Sequence, residues 1–218
     1  MVLKFYSGSF VGGGGVIVAL TLAEMKIPFE HVFVDMEAKE HKTPEYLAMN
    51  PFGLVPVIDD DGFVVYESRA ICRYLIEKYS NQGSNLLPKG LKERTLMEQA
   101  AAVEYATFHP ALTPVLREGV FKPFRKLPVD QAVLDEALKE FSAKLDVYEV
   151  ILGKHKFVAG DEFTFADLCH YAYAPLLTMG EINIMTSKGP NVTRWWNELM
   201  ARPTWVKIKA EGYKKGLQ

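Results

Sequence analysis

The sequence predicts two domains of different class, a small α/β sandwich followed by an all-helical bundle. Strand and helix patterns alternate over residues 1–82 in the order βαβαββα, which is typical of a layered α/β domain. Helical periodicity fills residues 90–218, without strand signals of comparable strength. A polar connector at residues 81–85 and 88–90 separates the two patterns, so we place the division near residue 85.

Each element follows from a local pattern of apolar, β-branched and turn-forming residues. In the first domain, strands are predicted at residues 2–6, 29–34, 55–58 and 63–66, and helices at 14–26, 43–47 and 68–79. Pro44 suits the first turn of its helix, and an Asp-Asp-Asp-Gly turn joins the last two strands as a hairpin. In the second domain, helices are predicted at residues 91–118, 129–153, 166–179, 190–201 and 204–212. Thr164 and Asp167 have the spacing of a capping box.

Composition excludes several classes of function. The chain has 218 residues, 49% hydrophobic and 24% charged, with a net charge of -2, so no strong field favours nucleic acid or an anionic membrane. No apolar run approaches the ~20 residues that span a bilayer, and no signal peptide is recognisable. Cys72 and Cys169 lie far apart in helical patterns, which indicates buried thiols and a reducing, cytoplasmic setting. We expect no metal site.

Two segments indicate a binding site for a small peptide. The first, at residues 50–56, places Val55 before Pro56, and a cis bond there would leave the Val55 backbone groups free to pair with a ligand. The second places Glu67 and Ser68 where an apolar run ends and a helix begins, a position that attracts anions. A free backbone edge beside a carboxylate and an anion site suits a peptide with an amine and carboxylates, and glutathione has these groups.

The chain resembles the glutathione transferases, and within them the phi class of plants and fungi. The resemblance covers essentially the whole chain and is carried by residues 40–47, 50–53, 66–71, 85–87 and 145–149 together with the capping box. It implies a thioredoxin-like first domain, a helical second domain and a homodimer. It also implies transfer of glutathione, as a co-substrate without any tightly bound cofactor, to small hydrophobic electrophiles, with glutathione-dependent peroxidase activity as an addition.

The resemblance assigns roles to residues of the first domain. Ser68 would take the γ-glutamyl carboxylate, Glu67 the amine, and the Val55 backbone the cysteinyl unit beside a cis Pro56. His41 and Lys42 would meet the glycine carboxylate. Leu54 stands where the family usually has glutamine, so one side-chain contact would be lost. Alternatively, Glu67 and Ser68 form a plain helix cap, and His41 and Lys42 are surface residues.

The match breaks in the first loop, where phi-class enzymes carry a serine whose hydroxyl donates to the glutathione sulfur. Counting from Tyr6 puts that position at Val11, and counting back from Pro28 puts it at Gly12, so neither count gives a hydroxyl. Ser9 is the candidate catalytic residue, and Ser7 is a second nearby hydroxyl. The backbone N–H groups of Val11, Gly12 and Gly13 are the alternative donors.

The energies explain why a donor is needed. Lowering the thiol pKa by two units takes about 2.7 kcal/mol. A hydrogen bond to a charged group supplies about 1.5–3 kcal/mol and a helix N-terminus about 0.3–1 kcal/mol. The run Gly12–Gly15 therefore has two interpretations, a flexible helix start or a close approach of bare amides to an anion.

The acceptor site is the least defined part of the sequence. Its expected apolar walls lie between the two domains and are Phe10, Val11, Phe108 and Phe121, each of which also suits a core position. Two other functions stay open. A ligandin-like protein of the same fold would bind glutathione and hydrophobic ligands with little turnover, and an interaction domain would resemble those of elongation-factor subunits.

Overall fold

The computed structural model describes residues 2–8 and 12–212 and divides the chain into two units. One unit combines residues 1–85 with 203–218, and the other holds residues 86–202. The first segment of the former unit ends at Asn85, within the polar connector, and the latter unit begins at Leu86. The last helix differs from the prediction, because it belongs with the first unit and not with the helical domain.

Within the described residues, the elements follow the predicted order. The strands are β1 Leu3–Ser7, β2 Phe29–Phe33, β3 Val57–Asp60 and β4 Phe63–Tyr66. The helices are α1 Gly14–Glu24, α2 Pro44–Met49, α3 Ser68–Lys78, α4 Leu91–Val103, α5 His109–Leu116, α6 Lys122–Phe124, α7 Gln131–Leu152, α8 Phe165–Cys169, α9 Ile184–Ser187, α10 Pro190–Met200 and α11 Pro203–Glu211. The sequence missed α6, α9 and a short 3-10 turn at Glu40–Lys42. The helix predicted at residues 166–179 is α-helical only in α8, and 3-10 turns follow it at His170–Ala172 and Ala174–Gly180.

The first unit is built on a mixed four-stranded sheet in the order β2-β1-β3-β4. β1 runs parallel to β2 and antiparallel to β3, and β3 and β4 form the predicted hairpin. α1 is almost entirely apolar, and its side chains from Val16 to Leu20 are at most 2% exposed. It packs against α3 and α11, which explains why a helix with so little polar surface is stable in water. The order βαβαββα is confirmed.

The second unit contains a long helical stretch that changes its winding twice. α4 continues through a π-helical turn at Glu104–Phe108 into α5, and α5 continues through a second π-helical turn at Arg117–Phe121 into α6. An aromatic cluster lies in the interior, where Phe108 packs against Phe141, Tyr148 and His170 at centroid distances of 5.1, 5.4 and 4.7 Å.

The predicted capping box at the start of α8 is present. Asp167 is fully buried and accepts hydrogen bonds from the backbone amides of Thr164 and Val158 and from the Trp195 indole. Burial raises the Asp167 pKa to about 6, against the opposing effect of these donors. Among the described helices, none has the length and apolar character needed to cross a bilayer.

Candidate functional site

The loop before Pro56 is held in place by two side chains of α2 and its end. The Asn50 amide donates to the Leu54 carbonyl at 2.8 Å and its Oδ1 accepts from the Phe52 amide at 3.1 Å, while the Tyr46 hydroxyl also donates to the Leu54 carbonyl at 3.0 Å. Burial raises the Tyr46 pKa to about 12, with a smaller contribution from Tyr6, so its hydroxyl stays a donor. The Val55–Pro56 bond is cis, as the sequence predicted.

Asn50 and Tyr46 hold the loop before Pro56, and the sequence did not predict this role for either residue. The Asn50 Oδ1 contact to the amide two residues later is an Asx turn, a known habit of asparagine in loops. That signal was present in the sequence at Asn50. No comparable signal marked Tyr46, because only the fold brings its hydroxyl to Leu54. The Leu54 side chain itself is 53% exposed, so residue 54 contributes to this loop mainly through its carbonyl.

Lys42 supports the same loop from its other side. Its Nζ donates to the carbonyls of Phe52 and Gly53 at 3.1 and 2.8 Å, which leaves one N–H of the ammonium for a ligand. Lys42 is thus an exposed lysine that is anchored to the loop, and its contact with a ligand stays a prediction. His41 is half-buried, and its Nδ1 is buried without a hydrogen-bond partner among the described residues.

Glu67 and Ser68 differ in exposure although they are adjacent. Glu67 is exposed, precedes α3 with a φ of 68°, and makes no side-chain hydrogen bond to the helix. Ser68 is the first residue of α3 and is only 9% exposed. Glu67 is thus not a plain helix cap. A non-glycine residue at positive φ is uncommon and is often found at binding sites.

The glycine run brings the start of α1 into contact with Ser68 and Pro56. A Cβ on Gly14 would lie 2.7 Å from the Ser68 Oγ and 3.1 Å from the Pro56 Cδ, so only glycine permits this approach. Gly12 and Gly13 have φ values of 130° and 87°, which L-residues rarely adopt. The start of α1, the cis-proline loop and the start of α3 therefore meet at one place. The interpretation as a merely flexible helix start is wrong for Gly14.

The structure removes one of the two candidate hydroxyls. Ser7 ends β1, is 1% exposed, and its Oγ lies 2.9 Å from the His31 Nε2. Burial lowers the His31 pKa, which favours the neutral ring as a partner for the hydroxyl. Ser7 is thus a structural residue of the sheet. Ser9, Phe10 and Val11 lie outside the described residues, and their roles stay predictions.

Phe108 and Phe121, the two predicted walls of the acceptor site that lie among the described residues, differ in burial. The prediction for Phe108 needs correction, because its side chain is 1% exposed and lies in the aromatic interior of the helical unit, where it has no free surface for a ligand. Phe121 is half-buried at the end of a π-helical turn and stays a prediction. Among residues 2–8 and 12–212, no group of three or more His, Cys, Asp or Glu side chains is placed to hold a metal ion.

The family models match both units. The model of the glutathione S-transferase N-terminal domain matches residues 17–78, and that of the C-terminal domain matches residues 105–203.

Relatives and solved structures agree with these matches over nearly the whole chain. Glutathione S-transferase F10 of Arabidopsis thaliana is 37% identical over 97% of this chain and 98% of its own, and glutathione S-transferase hmp2 of Hypomyces subiculosus is 39% identical over 97% and 99%. The crystal structure of glutathione transferase F2 from Populus trichocarpa has a TM-score of 0.89 with 37% identity, covering 95% and 97% of the two chains. A glutathione S-transferase I from maize, solved with an atrazine glutathione conjugate, has a TM-score of 0.86 with 33% identity, covering 96% and 97%. The chain therefore belongs to the glutathione S-transferase family, in its phi class, and is a glutathione transferase.

Proposed function

We propose that this transferase binds glutathione against the start of α1 and joins its sulfur to small apolar electrophiles. The observation that carries the proposal is the contact of Gly14 with both Ser68 and Pro56. It gathers the amide-rich end of one helix, the cis-proline loop and the Glu67–Ser68 pair into one site. A tripeptide lying across that site would have its carboxylates near cations or amides, and its amine near Glu67.

Each end of the tripeptide has a suitable partner. Ser68 and its amide, at the N-terminus of α3, suit the γ-glutamyl carboxylate, and the exposed Glu67 carboxylate suits the amine. The Val55 backbone is proposed to pair with the cysteinyl unit. Lys42 retains one N–H for the glycine carboxylate after binding two loop carbonyls, and half-buried His41 lies next to it. These roles are proposals that the local geometry supports.

The reaction needs the thiolate as nucleophile. In conjugation, the sulfur lone pair forms a bond to an electrophilic carbon, and the leaving group departs with its bonding electrons. In peroxide reduction, one glutathione takes the terminal oxygen of an organic hydroperoxide to give a sulfenic acid and an alcohol. A second glutathione then gives the disulfide and water. We include the peroxide reaction because both reactions begin with the same thiolate.

Two further properties belong to the proposal. Phe52 and Leu54 are 64% and 53% exposed on the glutathione loop, and burial in a homodimer would remove such apolar side chains from water. Sedimentation equilibrium tests this, and a monomer at micromolar concentration would contradict it.

The two cysteines of the chain are free and buried, which suits the cytoplasm, and imaging of the tagged chain in its cells tests that location.

Two measurements test the function. Retention on glutathione-agarose tests the shared site, and failure to bind contradicts the proposal. Turnover of chlorodinitrobenzene and cumene hydroperoxide then separates an enzyme from a ligandin-like binder, which would bind glutathione without measurable turnover. The ligandin-like binder is the second candidate because the serine position of the family falls on Val11 or Gly12, neither of which has a hydroxyl, and the nearby Ser7 hydroxyl is hydrogen-bonded to His31.

A further inference from the structure

The segment that leads from α6 to α7, residues 122–130, presents apolar side chains to water, and we call it the α6 loop. Its Phe124, Leu127 and Val129 are 69%, 51% and 40% exposed. Every residue from 123 to 133 is exposed, so the described chain covers little of this segment. Apolar side chains exposed singly are ordinary, but several within one short segment indicate a surface that contacts a partner.

The α6 loop is held in one shape by its backbone and by a buried carboxylate. The Leu127 amide donates to the Lys122 carbonyl at 2.9 Å, and Lys126 has a φ of 56°, which together form the Schellman ending of a helix. Glu118 is 1% exposed and accepts from the Lys122 Nζ at 2.5 Å and from the Asp130 amide at 3.2 Å. One side chain thus ties both ends of the loop. A loop that is already ordered loses little conformational entropy when it docks.

The charge of the α6 loop differs from that of the whole chain. The net charge of -2 gives the protein no general attraction to anionic surfaces, and composition predicted no membrane partner on that ground. Within the loop, Glu118 neutralises Lys122, whereas Arg125 and Lys126 are exposed and form no ion pair with residues 2–8 or 12–212. Asp130 is the one acidic residue of the loop, and its carboxylate caps the start of α7. The loop therefore combines two unpaired cations with three exposed apolar side chains.

We propose that the α6 loop docks the protein onto an anionic lipid bilayer. Phe124, Leu127 and Val129 enter the boundary between headgroups and acyl chains, and Arg125 and Lys126 contact the anionic headgroups. Binding to such a surface grows with the apolar area that leaves water and with the attraction of cations to anionic lipid, and the loop supplies both.

A second copy of the chain fits the α6 loop less well. A two-fold contact through the loop would bring Arg125 and Lys126 of one copy against the same cations of the other. The inference concerns the helical unit and does not depend on the glutathione site. If the proposed function also holds, docking brings the enzyme to a surface where apolar electrophiles concentrate.

The first measurement is co-sedimentation of the full chain with phosphatidylcholine vesicles that contain or lack phosphatidylserine. We expect about tenfold tighter binding to the vesicles with phosphatidylserine, because each cation near an anionic surface contributes about fivefold. Added salt should weaken that binding, since it screens exposed charges. No binding to the anionic vesicles, or equal binding to the two kinds of vesicle, would overturn the proposal.

Two matched pairs of variants locate the contact. Leu127→Ser should weaken binding to the anionic vesicles about tenfold, while the same substitution at Leu91, which is 83% exposed in α4, should change it by less than about twofold. Lys126→Gln should weaken it about fivefold, with exposed Lys92→Gln as its control. Equal effects within either pair would place the contact outside the α6 loop and contradict the proposal.

Other occupants of the α6 loop give different outcomes. If vesicles do not bind and Leu127→Ser dissociates an oligomer in sedimentation equilibrium, the loop contacts a second copy. If vesicles do not bind and polyglutamate binds in a manner that Lys126→Gln weakens, the loop takes an acidic polypeptide. Either result overturns docking onto lipid.

A second measurement reports on the loop itself and keeps its aromatic character. Phe124→Trp places an indole in the α6 loop, whereas the native Trp195, Trp196 and Trp205 are at most 4% exposed. Its added emission should move to shorter wavelength on binding to anionic vesicles and should be quenched by brominated acyl chains. Unchanged emission from protein that co-sediments with the vesicles would show that the loop stays in water, which contradicts the proposal.

Discussion

Glu67 combines an unfavourable backbone conformation with a proposed role in binding the glutathione amine. Its φ of 68° and ψ of 105° lie outside the regions that non-glycine residues favour, a cost of about 1–3 kcal/mol, yet the side chain makes no helix cap in return. Glu67→Gly and Glu67→Ala both remove the carboxylate, but only glycine relieves the backbone. Both should weaken glutathione binding by about 1–3 kcal/mol, measured by calorimetry.

In urea unfolding without ligand, the free energy of unfolding of Glu67→Gly should exceed that of Glu67→Ala by about 1 kcal/mol. This difference already allows for the larger conformational entropy of glycine in the unfolded chain. Alanine at least as stable as glycine would show that the backbone of residue 67 is not strained.

Much of the candidate site could be predicted from sequence because its residues lie in short, specific segments. The cis bond at Val55–Pro56 and the position of Ser68 at a helix start follow from local patterns, and the structure has both. The roles of Tyr46 and Gly14 could not be predicted, since each depends on a contact made by a residue distant in the chain. Phe108 was assigned wrongly because an apolar residue has the same signature in a core and in a pocket.

Asp60 should give the fold a measurable dependence on acid. Burial alone would raise its pKa, but hydrogen bonds from Lys78 and Tyr74 and the charge of Lys78 outweigh burial and lower it. Because the Asp60 pKa is lower in the folded protein than its unfolded value near 3.8, the ionised carboxylate stabilises the fold at pH values above 3.8. That stability is lost as the pH falls through the folded-state pKa.

Lys78→Met should therefore cost about 1 kcal/mol near neutral pH, a value kept small because Lys78 is 41% exposed, and almost nothing at a pH well below 3.8. Urea unfolding across that range measures it, with exposed Lys92→Met as the control. A cost that does not change with pH would mean that Lys78 acts by packing and not by its charge.

At the scale of the elements, the sequence predicted helices better than it predicted how they wind. Residues 91–118 were predicted as one helix, and the structure continues to Phe124 through two π-helical turns. Each π-helical turn ends two residues before a proline, Pro110 or Pro123. A proline ring collides with the carbonyl four residues earlier and lacks an N–H, and a wider turn before it relieves the collision. Apolar periodicity carries no information about such a local widening.

Side chains of helices α7 and α10 each cap an end of the other helix. The Glu149 carboxylate accepts from the amides of Asn191 and Val192 at the start of α10, while Arg194 of α10 donates to three carbonyls at and after the end of α7. The three acceptors are the carbonyls of Leu152, His155 and Lys156, at 2.9, 3.2 and 2.9 Å.

A lysine ammonium cannot reproduce the planar set of donors of arginine, so Arg194→Lys should lower the free energy of unfolding by about 1–2 kcal/mol. The exposed Arg125→Lys is the matched control and should change it by less than about 0.5 kcal/mol. Equal effects of the two substitutions would show that the carbonyl contacts of Arg194 contribute nothing beyond charge.

At the scale of the whole molecule, the chain leaves the first unit near residue 85 and returns to it at Pro203. Sequence continuity assigned the last helix to the helical domain, and the structure instead packs α11 against α1, with Trp205 and Ile208 buried. Periodicity identifies which side chains of a helix are apolar, but it does not identify the surface that covers them. This is why the apolar pattern predicted α11 as a helix but did not indicate that α1 covers its apolar face.

Glu24, at the end of α1, joins the two chain segments that complete the first unit. It is 6% exposed, and its two carboxylate oxygens accept from the Ser84 hydroxyl at 2.5 Å and the Thr204 hydroxyl at 2.6 Å. Glu24→Ala removes two charge-assisted hydrogen bonds and leaves both hydroxyls without that acceptor, so it should lower the free energy of unfolding by about 2–4 kcal/mol. Exposed Glu30→Ala in the same unit is the control, with a change below about 0.5 kcal/mol.

Hydrogen exchange distinguishes a specific loss of this junction from a general loss of stability. In Glu24→Ala, the amides of α11 and of residues 81–85 should exchange faster than in the unsubstituted protein, while those of β1 and β3 keep their protection, because the sheet does not depend on the Glu24 carboxylate. If α11 and the sheet lose protection together, the first unit opens as one cooperative body. Glu24 would then stabilise the unit as a whole, and the attachment of the C-terminal helix would not be a separate step of its folding.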